Sequence, residues 1–123
     1  MILQQLRNKN IAAAKAACKA AIKKEHLIIQ AVLAIKDIEQ TCNMLAKRCR
    51  EWYCLYWPEK EHEISDHEVL MDIIVTKQRR DSLMGADISN VDQQPIKDLA
   101  QKIQVLYDEK QLLEQYIEKI TQD

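Results

Sequence analysis

The chain has 123 residues, of which 30% are charged and 47% hydrophobic, and a net charge of −1. One Gly, two Pro and no Phe leave little room for tight turns, so long helices are the default and an all-α fold is expected. No uninterrupted apolar run reaches about eighteen residues, so no membrane-spanning helix is expected, and no short apolar core ending in a cleavage site marks a secretory signal.

The small net charge hides an asymmetry. Residues 1–50 carry ten Lys/Arg and three Asp/Glu, whereas residues 51–123 carry eight and sixteen. Two halves of opposite sign attract, which favours one folding back on the other and contributes specificity more than stability.

In chain order, residues 1–24 are Ala-rich and hold six Lys/Arg and no acid. They faintly resemble an organelle transit peptide, but Lys outnumbers Arg and Ser is absent. Ile11, Ala14, Cys18 and Ala21 make a thin apolar stripe there, and an unpaired stripe implies a missing neighbour. From Leu3 to Tyr56 there is neither Pro nor Gly, so one continuous helix is expected. Within it, Ile28, Ala31, Ile35, Ile38, Cys42, Leu45, Cys49 and Trp52 recur in alternating steps of three and four, the spacing of a coiled-coil seam. Pro58 is expected to end this helix, Glu59 to Glu63 to form a polar loop, and Ser65 with Glu68 to open a short helix through about Lys77 as a capping box. Val69, Leu70, Ile73 and Ile74 would be its apolar face. Gly85 marks a turn, and Ser89 with Asp92 gives a second cap signal. Pro95 then either kinks the next helix or sits in its first turn. There Ile96, Leu99, Ile103, Leu106, Lys110, Leu113, Ile117 and Ile120 repeat the three-four alternation, broken only by Lys110, whose stem can lie along apolar surface.

Both seams run for the same number of residues, about 36 Å at 1.5 Å per residue. Two matched stripes in one chain predict a long antiparallel coiled-coil hairpin with short helices at its tip, Ile28 near Ile120 and Trp52 near Ile96. The expected organisation is a single coiled-coil domain: a basic overhang over 1–24, a first hairpin helix over 25–57, a tip over 58–94 and a second hairpin helix over 95–123.

Candidate sites are few. His62 and His67 lie near Glu61, Glu63, Asp66 and Glu68, but no Cys-x-x-Cys or His-Glu-x-x-His spacing accompanies them. Cys49 and Cys54 are five residues apart on a helix, about 140° around it, and do not converge. Cys42, Cys49 and Cys54 share one straight element and are too far apart to bond one another, so free thiols are expected, Cys18 included. No phosphate-binding Gly-rich turn and no nucleophile elbow appears. No catalytic, cofactor or metal site is therefore expected. Trp52, Tyr53, Tyr56 and Trp57 crowd the tip, as a plug capping the hairpin against the short helix, as a contact patch for a partner, or, least favoured, as a surface on which a nucleic-acid base stacks. Lys77, Arg79 and Arg80 form a small basic cluster, usually a solvated surface, that with the basic arm could meet phosphates.

Several of these segments together resemble the coiled-coil region of the Nop family, scaffold proteins of box C/D ribonucleoproteins. They are Lys24 to Val32, Leu45 to Tyr53 with Arg50-Glu51-Trp52-Tyr53 at its end, Tyr56-Trp57-Pro58-Glu59, Ser65-Asp66-His67-Glu68, and Met84-Gly85-Ala86-Asp87-Ile88-Ser89. The likeness covers roughly 24–121 and is closer to the archaeal than to the eukaryotic form, and the splicing-factor branch matches Arg50-Glu51-Trp52-Tyr53 less well. One departure is Trp57-Pro58-Glu59-Lys60, where the family pattern reads Phe-Pro-Glu-Leu. What the resemblance implies is a non-catalytic scaffold that forms a homodimer through this region. It would join fibrillarin, which carries the S-adenosylmethionine, to a kink-turn-binding protein and a box C/D guide RNA for 2′-O-methylation of ribosomal RNA. No membrane and no small-molecule substrate is involved. The expected location is cytoplasmic in an archaeon and nucleolar in a eukaryote. The family's fibrillarin-binding and RNA-binding modules would flank this stretch, so an excised piece is expected. A standalone RNA-binding helical protein and a generic coiled-coil adaptor are the alternatives.

Overall fold

The structure, a computed structural model, describes residues 2–79 and 82–122, with the side chains of Ala20 and Ala21 outside the description. Five helices follow in order: α1 (Ile2–Ala21), α2 (Lys24–Cys54), α3 (Pro58–Glu63), α4 (His67–Thr76) and α5 (Asn90–Thr121). The fold is all-α, with no strand among the described residues. None of the helices is long and apolar enough to cross a membrane.

The first helix is not continuous. It breaks at Ile22 and Lys23, where Lys23 is extended (φ −114°, ψ 168°). The Lys23 amide donates to His26 Nδ1 at 3.0 Å, and the His26 amide donates to the Lys23 carbonyl at 3.0 Å. His26 thus restarts the helix by occupying an otherwise unpaired terminal amide. Like charges four apart at Lys19 and Lys23 work against a continuous helix through this point. Among the described residues no element packs extensively against α1, and the described side chains along it are exposed. Ile11, Ala14 and Cys18 therefore face solvent; the Ala21 side chain lies outside the described residues.

α2 and α5 pack along each other and run antiparallel. Cys49 Sγ donates to the Ile96 carbonyl at 3.8 Å, and further from the tip Lys110 Nζ lies 3.0 Å from Glu39 Oε1. On the facing sides Ala31, Cys42, Cys49, Ile96 and Ile103 are buried, and Ile28, Ile35, Ile38, Leu45, Leu99, Leu106, Leu113, Ile117 and Ile120 are half-buried. Trp52 departs from this pattern: it is 38% exposed, while Tyr53 beside it is 4% exposed. The reason is rotational. A straight helix drifts about 20° per heptad against a seven-residue repeat, so by the tip the buried face has moved from Leu45 and Trp52 to Ala46, Cys49 and Tyr53. Lys110 lays its stem in the interface and sends its ammonium to Glu39 and, at 3.9 Å, to Glu114. This is the only α2–α5 ion pair among the described residues. Its polarity is opposite to the overall charge asymmetry, because much of the basic excess of residues 1–50 sits on α1, which has no neighbour.

The core lies toward the tip. Ala46, Cys49 and Tyr53 of α2 meet Leu70, Met71 and Ile74 of α4 and Ile96, Ala100 and Ile103 of α5. α4 thereby fills the splay between the two long helices. Its buried face is Leu70, Met71, Ile73 and Ile74, whereas Val69, expected on that face, is 48% exposed. α5 begins at Asn90, ahead of Pro95, with Ser89 as its N-cap. Pro95 lies inside the helix and lacks the amide that the Val91 carbonyl would accept from. That loss is tolerated because Val91 is exposed to water.

The clamped tip as the candidate functional site

The tip is assembled by three polar side chains that reach across the chain. Arg50, facing inward one turn before the end of α2, uses all of its guanidinium. Its Nε donates to His67 Nδ1 at 2.8 Å. Nη1 donates to Glu61 Oε1 at 3.1 Å and to the Glu61 carbonyl at 3.3 Å, and Nη2 donates to the Ser65 carbonyl at 2.9 Å. One residue of α2 therefore fixes α3, the α3–α4 link and the start of α4. A planar fork of donors suits this task, and an ammonium does not.

Glu59 is the second clamp. Its carboxylate accepts from Ser82 Oγ at 2.7 Å and from the amides of Leu83 and Met84 at 3.1 and 3.2 Å. These bonds, that of the Ser82 hydroxyl foremost, hold its pKa below the usual carboxylate value. Arg79 is the third. Its Nη1 donates to the carbonyls of Tyr56 and Ala86 at 2.7 and 2.9 Å, Nη2 pairs with Asp87, and the guanidinium lies 4.4 Å from the Tyr56 ring centre. Arg79 is thus committed to the fold and is not part of a phosphate-facing cluster, Lys77 stays exposed, and Arg80 lies outside the described residues.

Two local expectations change. Residues 58–63 form helix α3 instead of a loop, because Pro58 at its first position fits a helix start as well as a helix end. Asp66, not Ser65, caps α4: its Oδ1 accepts from the Glu68 amide at 2.8 Å and the Val69 amide at 3.4 Å. Gly85 lies in the expected bend, yet its φ is not positive. The need for glycine is steric, since a Cβ there would overlap the Tyr56 carbonyl oxygen and come within 2.7 Å of Ser82 Oγ. Gly85→Ala is expected to destabilise by about 2 kcal/mol, the usual scale of overpacking, read as a lower urea midpoint. An unchanged midpoint would show that the 82–86 segment moves freely from the Leu55–Tyr56 turn, despite the Ala86 amide donating to the Leu55 carbonyl at 2.8 Å.

The aromatics split by role. The Tyr53 ring centre lies 6.0 Å from Tyr56 and 6.5 Å from Trp57, and Lys60 Nζ sits 5.7 Å over the Trp57 ring. Tyr53, Tyr56 and Trp57 thus plug the tip, while Trp52 and Glu51 point outward, Glu51 pairing with Arg48 at 3.0 Å. The Tyr53 hydroxyl is buried with no hydrogen-bond partner, and burial pushes its pKa upward. Tyr53→Phe is therefore expected to leave stability unchanged or raise it by about 1 kcal/mol; a clear loss in thermal denaturation would mean that the hydroxyl is satisfied.

His67 titrates below its usual 6.5 because burial disfavours the cation and because Arg50 faces it, joined by Lys47 and opposed by Asp66. In the unfolded chain the imidazole takes up a proton near pH 6.5, whereas in the fold it resists one. Stability should therefore fall as pH drops below about 6.5. Thermal midpoints measured across this range should decline in the wild type and less steeply in His67→Asn. Equal slopes would remove His67 as the cause.

The structure also brings together a group that sequence reasoning missed. Cys54, Glu61 and His62 place their donor atoms within 4.8 Å of one another. Periodicity along one helix cannot reveal this, because the turn at 55–57 folds α3 back onto the end of α2. The sequence did set His62 beside Glu61, but it gave Cys54 no part in the group. The other thiols do not join: Cys42 and Cys49 are buried and Cys18 is exposed, and burial lifts Cys49 to about 11.

The described residues thus define an all-α protein type, a helical hairpin whose tip is held by polar clamps. Residues 34–83 match the Nop family, described as "snoRNA binding domain, fibrillarin", so the chain carries a Nop-family segment centred on α2 and the tip. An uncharacterised NOP5 family protein of Methanocaldococcus jannaschii is 31% identical over 81% of this chain and 30% of its own length. Nucleolar protein 58 of Candida albicans is 33% identical over 58% of this chain and 14% of its own. Nucleolar protein 58 of Saccharomyces cerevisiae is 32% identical over the same shares. The chain thus spans less than a third of these relatives. Of the positions that carried the resemblance in sequence, Arg50, Glu59 and His67 take part in the clamps, Tyr53, Tyr56 and Trp57 in the plug, and Asp66 caps α4.

Proposed function

We propose that this chain is the non-catalytic dimerisation and spacing module of a box C/D ribonucleoprotein scaffold that holds fibrillarin, a kink-turn-binding protein and guide RNA in a fixed relation. The family match supports the particle, and the geometry supports the spacer, since a helical hairpin clamped at one end can hold partners at a set distance. One observation carries the dimer. At the open end of the hairpin, remote from the core, Leu27, Ile29, Val32 and Leu33 of α2 and Leu112 and Tyr116 of α5 are exposed. There α2 is apolar almost all round, the signature of a helix covered on more than one side. A second copy packing at this end would cover it. The same reading places the protein in the cytoplasm of an archaeon or the nucleolus of a eukaryote.

Sedimentation velocity across a micromolar concentration series tests this. Wild type should self-associate, and Leu33→Glu or Leu112→Glu, at 48% and 58% exposed positions, should weaken association by about thirtyfold, the scale of an interface anchor, with helicity unchanged. A wild type that stays monomeric at high micromolar concentration would overturn the dimer.

A second reading rests on α1, which presents Arg7, Lys9, Lys15 and Lys19 to solvent with no acid beside them. It gives salt-sensitive RNA binding by the arm, not by the tip, whose Arg50 and Arg79 are spent internally. A gel-shift titration at low and moderate salt decides it.

A further inference from the structure

We propose that Cys54, Glu61 and His62 form a binding site for a thiophilic divalent cation of the Zn2+ type, clasping the end of α2 to α3. The proposal does not depend on the dimer or on the RNA partner. Among the described residues this is the one group of three Cys, His or carboxylate donors that converges, and its chemistry is mixed: a thiol, an imidazole and a carboxylate. Donors around a tetrahedral zinc ion lie about 3.5 Å apart, given bonds of about 2.0 to 2.3 Å. The three donors lie within 4.8 Å of one another, and the 78% exposed His62 side chain leaves room to adjust toward that spacing. Glu61 Oε2 already stands 2.8 Å from His62 Nδ1.

The carboxylate is held from behind. Arg50 binds Glu61 Oε1 and is itself fixed by the Ser65 carbonyl and His67, the arrangement by which outer hydrogen bonds orient a metal-binding carboxylate. Thiolate and carboxylate together balance a dication. Without the ion, Cys54 is kept protonated by burial first, and then by Glu61 and Glu59. Binding forms a metal–sulfur bond and releases the thiol proton to solvent. The imidazole keeps one proton, on Nε2, and coordinates through Nδ1. No fourth Cys, His or carboxylate donor joins the group among the described residues, so water would complete a four-coordinate shell. Because one proton leaves, affinity rises with pH until the thiol would ionise unaided.

Cobalt(II) is the probe. Titrated into the fully reduced 123-residue chain, it should give a thiolate-to-cobalt charge-transfer band and the intense visible bands of a four-coordinate site, saturating at one equivalent and bleached by Zn2+. Cys54→Ser should abolish the charge-transfer band. His62→Ala, at an exposed position that cannot unfold the tip, should keep the fold by circular dichroism and lose at least about tenfold in affinity. Cys18→Ser should bind like the wild type. Absence of a thiolate–cobalt band in the wild type, or one that persists undiminished in Cys54→Ser or with full affinity in His62→Ala, would overturn the site.

Discussion

Arg50→Met is expected to be the most damaging single substitution in the tip, lowering stability by about 3 kcal/mol in urea denaturation, the scale for breaking one side of a buried ion pair. The side chains of Arg50 and Glu61 are only 12% and 15% exposed, so little solvent screening remains to soften the loss. Met preserves the stem but leaves the Glu61 carboxylate, two backbone carbonyls and His67 Nδ1 without their donors. Arg50→Lys should recover little, since one ammonium cannot serve acceptors spread over α3, the link and α4. Arg48→Met gives the contrast. That residue also pairs with a glutamate at 3.0 Å, but both side chains are more than 70% exposed, and no measurable change is expected. Equal effects at positions 48 and 50 would mean that the clamp does not hold the tip.

The second large effect is a gradient along α5. Ile103→Ala, at a fully buried position, should lower stability by about 3 kcal/mol, through lost transfer energy and the cavity left behind. Ile117→Ala lies on the same stripe two heptads on, where burial is partial, and should lower it by about 1 kcal/mol. The difference reflects α4, which seals the hairpin near Ile103 and does not extend to Ile117. Self-association would narrow the gap as protein concentration rises, because a partner covering the open end adds contacts there. Running both variants at two concentrations therefore separates the fold of one chain from its dimer.

The long-range pairing of α2 and α5 was legible because a three-four repeat depends only on local spacing and two equal stripes need one another. The same logic failed at its end. Trp52 and Tyr53 are both large and aromatic, and only the accumulated twist, together with the extra face demanded by α4, selects Tyr53. The tip was less legible still. Glu59 looked like loop polarity because its acceptors' partners, the Leu83 and Met84 amides, lie far along the chain. Arg79 looked like surface charge for the same reason. Ser65 and Asp66 are both good N-caps, and Asp66 wins because its carboxylate reaches two amides. The family resemblance marked Arg50, Glu59 and His67 without saying why they were needed; their cross-chain hydrogen bonds supply the reason. Glu61 and His62 were read together as neighbours in sequence, but the approach of Cys54 could not be read from spacing, since it is created by the reversal between α2 and α3.

Native-state hydrogen exchange tests the pairing of α2 with α5 around the clamped tip most directly. Amides of 42–53, 70–74 and 96–103 should exchange slowest and respond to denaturant as one cooperative unit, those of 112–120 should be intermediate, and α1 should exchange fast, as a helix with no neighbour must. If α1 were protected as strongly as 96–103, or if 96–103 opened independently of 42–53, the two long helices would not be stabilising one another in this arrangement.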